Sequence, residues 1–395
     1  MKRLKIAIIG SGPAGAFSAY LLSSLGHEIT IYEQKSSIKR KVCGEYLCPM
    51  GVEVLKKHGL DKLVLNGFQT LNGMVLVDVK NQEVIKAHFP KLSTHSMGVS
   101  VNRQRFDQSL LDLALNNGVK VQFDHRLLHL ENKNNQWNLE FETSNDSGSK
   151  IFNQNFDFLI AADGRNSHIA KTLHHSPKSN ADRMAIHCYL PRKSNHGLRL
   201  GEMHIFEDGS YCGLNPVADD QVNFSIVIDS HIIKNKNQLI PEMNKRIQQS
   251  ARLTELFDLI PEGTEVKTSM PLSHKNSYVA GEQLAYVGDA SGFIDPLTGE
   301  GMANALLSAD LLYQALVEQE NLSTALKEYR SNRISVLRQK YVLNTIFQTV
   351  IRKPILVTIV ANFLKTNQNR ANVFIGIIGN IFTPIEGFFK FFQKA

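Results

Sequence analysis

"KIAIIGSGPAGAFSAYLLSSLGHEITIYEQ", residues 5–34, is the stretch from which the fold of this 395-residue chain can be read. Lys5 to Ile9 is a short apolar run of the kind that lies buried in a parallel sheet. Gly10, Gly12 and Gly15 then spell G-x-G-x-x-G. Ala16 to Leu25 has the small-then-apolar pattern of a helix packed closely on a sheet, and Glu28 to Tyr32 reads as a second strand. Glu33 closes that strand, 18 positions after the third glycine. Chemistry explains the spacing. The first glycine allows a tight turn, the second lets backbone N–H groups approach a pyrophosphate, and the third lets helix meet strand. The helix N-terminus supplies positive partial charge, and the acid accepts from ribose hydroxyls. Ser11, Pro13, Ala14 and Gln34 complete the expected contacts. An acid at 33 argues for an unphosphorylated adenosine ribose, hence FAD or NAD and not NADP.

A basic start and an apolar stretch also fit a secretory leader, but the strand, helix and acid in sequence argue against that reading. Composition is ordinary globular, 43% hydrophobic and 21% charged. Four scattered cysteines without C-x-x-C exclude a disulfide scaffold and make structural zinc a poor expectation; reduced thiols and a cytoplasmic setting are the default. No metal site is expected: His187, His204 and His274 lack ligand spacing and read as core or surface histidines. The net charge of +7 is uneven. From Ser331 onward there are nine Lys/Arg and one acid, so the body carries about −1 and offers no nucleic-acid-binding face.

Two later stretches discriminate between the cofactors. "FDFLIAADGRNSHIA" (156–170) is a strand ending at Asp163-Gly164. "EQLAYVGDASGFIDPLTGEGMANALLSADLL" (282–312) is a strand ending at Gly288-Asp289, then a loop and a helix. In parallel α/β sheets ligands collect at such strand ends. With the glycine motif and "VNRQRFDQSLLDLALNNGVKV", these stretches resemble the fingerprints of the para-hydroxybenzoate-hydroxylase-type FAD superfamily. The resemblance covers residues 1 to about 312 and implies FAD. It also implies that Arg103 lies over the pyrophosphate or flavin, and that Leu127, ending the strand after Gly118, borders the adenine. Asp289 would accept from ribityl hydroxyls. Gly299 and Gly301 would permit close approach of the ring, flanked by Pro296 and Met302. The helix beginning near Gly301 would stabilise negative charge on the reduced ring. Asp295 and Glu300 read equally as loop caps, surface charge or catalytic parts.

Within that superfamily, the ending Gly299-Glu300-Gly301 and "KVCGEYLCP" (41–49), with Cys43 and Gly44, resemble geranylgeranyl-reductase-like flavoproteins. Cys43 or Tyr211 could supply a proton, although Cys43 reads equally as a small packed residue. The reductases often carry Tyr-x-Trp-x-Phe-Pro; here "YCGLNP" (211–216) keeps Tyr211 and Pro216 but has Gly213 and Asn215 in place of the aromatics, so an isoprenoid substrate is less firmly implied. The lone Trp137 provides no Trp-x-Trp-x-x-Pro signature, which disfavours a tryptophan halogenase.

The expected architecture is therefore α/β. A discontinuous Rossmann-type FAD-binding domain (1–66, 100–170, 275–330) carries an inserted mixed or antiparallel β-sheet substrate domain (67–99, 171–274). A basic, apolar helical tail (331–395) follows. None of the tail's apolar runs is long enough to span a bilayer. It either caps the pocket or lies on an anionic membrane surface with Phe374, Phe382, Phe388, Phe389, Phe391 and Phe392 inserted. The expected activity is hydride transfer from reduced flavin to a carbon–carbon double bond of a lipophilic small molecule. NAD(P)H is a transient donor candidate, because no second dinucleotide motif appears. A monooxygenase using NAD(P)H and O2 is the alternative; a halogenase or a non-catalytic flavin-bearing membrane-surface protein ranks lower.

Overall fold

Strand Lys5–Ile9 sits in the middle of a six-stranded sheet, parallel to Phe158–Ala161 on one side and Glu28–Tyr32 on the other. In this computed structural model, which describes residues 2–90, 97–145, 148–175, 182–193, 200–218, 221–274, 276 and 278–391, that sheet organises the site. Leu284–Tyr286 and Lys120–Gln122 extend it in parallel, and Ala280–Gly281 finishes one edge antiparallel. Both faces are covered, which is why its strands read as unbroken apolar runs. Ile6, Ile8, Ile29 and Ile31 pack under the helices Pro13–Ser23, Arg103–Asn116 and Gly301–Glu318. Ala7, Ile9, Leu159 and Ala161 pack under a three-stranded antiparallel sheet, His125–Lys133, Gln136–Asn145 and Gly148–Phe156.

Trp137 belongs to that smaller sheet and is buried, its indole N–H donating to the Gln283 carbonyl at 2.9 Å. Leu127 belongs there too, which corrects one expectation. The strand after Gly118 is Lys120–Gln122, and Leu127 lies on the next one, His125–Lys133. The chain turns at Asp124, whose φ of 57° breaks the strand before Leu127 is reached.

The inserted segments form one seven-stranded sheet. Its order is Lys267–Ser269, Arg183–Pro191, Gln221–Asp229, Tyr211–Pro216, Gly201–Ile205, Gly73–Asp78, Glu83–His88. All neighbours are antiparallel except Gly201–Ile205 with Gly73–Asp78, where the two insertions meet. Gly73–Asp78 and Glu83–His88 form a hairpin, with Gln82 at φ 51° in its turn. One face holds a core with helices Leu239–Gln249 and Ala251–Leu256. The other lines the cavity in part and in part carries the helices of the tail.

The tail does not begin at 331. A single thirty-residue helix, Leu322–Ile351, runs through that boundary. It bends by 106° into Pro354–Lys365, followed by Gln368–Ile378 and Pro384–Phe391. Ile351, Ala361, Leu364, Ala371 and Ile375 pack on Met74, Leu76, Ile85 and Ala87 of the large sheet. Phe392 lies outside the described residues. Among the described residues no single helix is long and apolar enough to cross a membrane.

Candidate functional site

The C-terminal ends of the parallel strands open into a cavity of about 770 Å³ whose far wall is the large sheet. Gly10 makes the first turn at φ 106°, and a Cβ there would lie 2.4 Å from the Ala162 carbonyl oxygen. Gly15 is needed for packing: its Cβ would stand 2.0 Å from the Gly10 carbonyl oxygen. Beside Gly12 only the Lys41 amine lies close, so room remains for a ligand against the loop. Helix Pro13–Ser23 starts at Gly12 with no described side-chain cap, leaving its first N–H groups to the cavity.

All the residues singled out in the sequence as cofactor contacts or proton donors line this cavity except Ser11 and Gly15. Ser11 acts one step back. Its backbone N–H and hydroxyl both donate to Glu33, at 3.1 and 2.7 Å, and hold that carboxylate at the cavity rim. Asp163 accepts from the Ile169 N–H at 3.2 Å through one oxygen; the other is buried without a described partner. Burial pushes its carboxyl above the usual range. An orphaned acceptor in a groove between glycines and an open helix end fits a ligand rich in hydroxyls and phosphates.

The loop 288–302 is assembled from buried parts. Gly288 donates to the Ser308 hydroxyl at 2.8 Å, and Asp289 lines the cavity beside it. Helix Gly301–Glu318 begins there, again with no described side-chain cap. Asp295 and Glu300 are not surface charges: they are 5% and 3% exposed. Asp295 caps the short turn Pro296–Thr298 through the Leu297 N–H and accepts from the Tyr211 hydroxyl at 2.5 Å. Burial raises its carboxyl above the ordinary range, and burial with the adjacent Asp295 raises the Tyr211 phenol. Glu300 accepts from Thr298 at 3.0 Å, from the Lys340 amine at 2.9 Å, and from the Asn380 amide.

On the far wall, strand pairing sets Ala185, Val227 and Tyr211 in one row and Ser225, Gly213 and Met203 in the next. A Cβ on Gly213 would meet no described atom within 4 Å, so the absent aromatic leaves open space. Asn215 donates to the Glu45 carbonyl and to the Ser100 hydroxyl oxygen, tying this wall to the Cys43 segment.

Sequence reasoning missed four residues. Glu45, buried at φ 53°, accepts from the Arg103 N–H, the Tyr189 hydroxyl and the Asn223 amide, and so braces Cys43 and Arg103. An acid inside the otherwise apolar "CGEYLCP" was its only signal. Arg333 is fully buried, with its Nε on Ser291 at 3.1 Å and no described partner for its other two nitrogens. Lys340 and Asn380 reach the site from the tail and had no local signal. The histidines differ from one another. His204 is buried between Glu202 and Ser250, His274 pairs through its backbone with Phe293, and His187 is buried with neither ring nitrogen partnered among the described residues.

A family model described as FAD binding domain matches residues 3–342. The chain belongs to that family. It is an FAD-dependent oxidoreductase of the hydroxylase-type superfamily, and Glu33 and Asp289 both line the cavity at the strand ends. Conditioned medium factor receptor 1 of Dictyostelium discoideum is 23% identical, over 92% of this chain and 74% of that protein. Kynurenine 3-monooxygenase of Drosophila willistoni is 25% identical (84% and 76%), and the chloroplastic geranylgeranyl diphosphate reductase of Arabidopsis thaliana is also 25% identical (80% and 66%). The chain thus spans about two thirds to three quarters of these relatives. The crystal structure of a Cytophaga hutchinsonii flavoprotein/dehydrogenase superposes with a TM-score of 0.79 at 19% identity, covering 98% of this chain and 95% of that one. That of the flavin-dependent halogenase CmlS gives 0.77 at 22% identity, covering 95% and 73%.

Proposed function

We propose that this FAD enzyme reduces a carbon–carbon double bond in a lipophilic substrate. The carrying observation is the Tyr211–Asp295 pair in the cavity wall, a phenol backed by a buried carboxyl of raised proton affinity. Bound, reduced FAD supplies the hydride. The chain supplies the proton that completes addition of two hydrogens. When Asp295 is protonated, its carboxyl donates to the Tyr211 oxygen and the phenol proton turns to the substrate. As Tyr211 gives up that proton, Asp295 returns one to the phenolate. Met74, Ala185, Met203 and Val227 exclude water from the reacting carbon. An external donor, NAD(P)H or a protein, must supply the electrons. The clear space at Gly213 suits a substrate broader than the reductase-type aromatic wall admits.

Likeness to kynurenine 3-monooxygenase and to a flavin-dependent halogenase favours a second, oxygen-dependent reading. Anaerobic incubation of reduced enzyme with polyprenyl and polyketide lipids separates the two. A product heavier by two hydrogens is expected; turnover only with O2 would sink the reductase reading.

A further inference from the structure

Among the described residues fifteen large apolar side chains are exposed, and eight of them lie between Ile334 and Phe389, in the last sixth of the chain. They are not the inward stripe of the tail. On Pro354–Lys365 the buried stripe is Val357, Ala361 and Leu364, while Ile355 and Ile359, 74% and 57% exposed, share the opposite face. Leu322–Ile351 buries Arg333, Leu337 and Lys340 and turns Ile334, Val342 and Ile346 outward. Pro384–Phe391 is pinned at Gly387, where a Cβ would lie 2.3 Å from Ile377, so Ile385 and Phe389 point away. A helix apolar on both faces, as Pro354–Lys365 is, belongs inside a core or against lipid, because water on one face ordinarily selects polar residues there. Phe363 meets Phe391 at 5.8 Å between ring centres, and Leu343 packs into the cluster that Phe391 also touches, so the three helices form one body.

We propose that this outward face docks on an anionic lipid bilayer surface. Charge favours lipid over a second copy of the chain. From Ser331 onward the single acid is Glu386, already accepting from the Thr383 N–H and hydroxyl, whereas Arg338 and Lys353 are exposed and Arg370 and Lys390 half-buried. Arg333 and Lys340 are buried, and Arg352 and Lys365 pair with Asp182 and Glu83. A two-fold contact would set this basic face against itself, whereas anionic headgroups complement it. The apolar side chains enter the headgroup boundary while Arg338 and Lys353, both exposed, remain at the phosphates. Leu337 and Lys340 of the same tail line the FAD cavity, so docking brings the cavity wall to the membrane. The proposal stands whichever reaction the site performs.

Cosedimentation of the full FAD-loaded chain with vesicles tests it. Binding is expected to phosphatidylcholine vesicles containing about a third phosphatidylglycerol, weakened by salt and absent with phosphatidylcholine alone. Ile355→Asp with Phe389→Asp should cut binding about tenfold or more, with flavin absorbance retained as the check on folding. Arg338→Glu with Lys353→Glu, which leaves the apolar face intact, should weaken it as well. Wild-type chain left in the supernatant with anionic vesicles overturns the proposal. So does a wild-type dimer that the same substitutions split while vesicle binding is unchanged.

Discussion

Asp289 stands at the strand end and lines the cavity, and we propose that its carboxylate accepts from the ribityl chain of FAD. Asp289→Ala removes a charge-assisted acceptor worth about 1.5–3 kcal/mol, so FAD should bind roughly ten- to a hundredfold more weakly. Titration of apoprotein with FAD reads this directly; an unchanged dissociation constant would remove Asp289 from the site. Tyr211→Phe keeps the ring in its buried slot and deletes the hydroxyl, with its proton and its bond to Asp295. Anaerobic turnover should fall about a hundredfold or more while FAD affinity stays constant. Because burial raises the Asp295 carboxyl, turnover should decline as pH rises through that value. Asp295→Asn should be slow at every pH and lack that limb. His187 adds a stability signature. Burial, with Arg40 and Lys267 nearby, pushes its imidazole down to about 4. The unfolded chain takes up the proton first, near the ordinary 6.5, so stability should fall between about pH 6.5 and 4, by up to about 3 kcal/mol, and level off below. His187→Phe should flatten that part of a denaturation profile.

At the scale of elements, the helix Pro13–Ser23 is close enough to its strand only because Gly15 lacks a side chain. Gly15→Val would force the helix off the Gly10 turn. A cost of about 3 kcal/mol or more is expected, with loss of FAD binding ahead of global unfolding. Thermal melts with and without FAD distinguish the two losses. This element was legible in sequence down to its strand bounds, because the G-x-G-x-x-G spacing, the small residues after it and the acid all act within thirty residues. The boundary at 331 was not. It follows from a helix whose inward stripe, Arg333, Leu337 and Lys340, is polar in composition, so periodicity alone does not identify it as buried.

At the scale of the molecule, the tail is built into the cofactor site. Lys340 and Glu300, both nearly buried, join the helix Leu322–Ile351 to the loop before Gly301. Lys340→Met leaves a buried carboxylate short of its cation and should cost about 3–5 kcal/mol; adding Glu300→Gln should recover much of it. A double-mutant cycle from chemical denaturation measures the coupling, and strict additivity would show that the pair does not act as a clasp.

The sequence by itself determined the cofactor class and the ligand edge of the parallel sheet. Those depend on turns, caps and strand ends, each specified by residues adjacent in the chain. It also placed Tyr211 and Cys43 in the vicinity of the site through resemblance. Only tertiary structure decided that Asp295 backs Tyr211, that Glu45 braces Arg103, and that Lys340 neutralises Glu300 while the Asn380 amide donates to it. Those partners lie 40 to 84 positions apart, and their roles come from shared burial, where an unpaired charge is too costly to persist and must find its counterpart wherever packing delivers one.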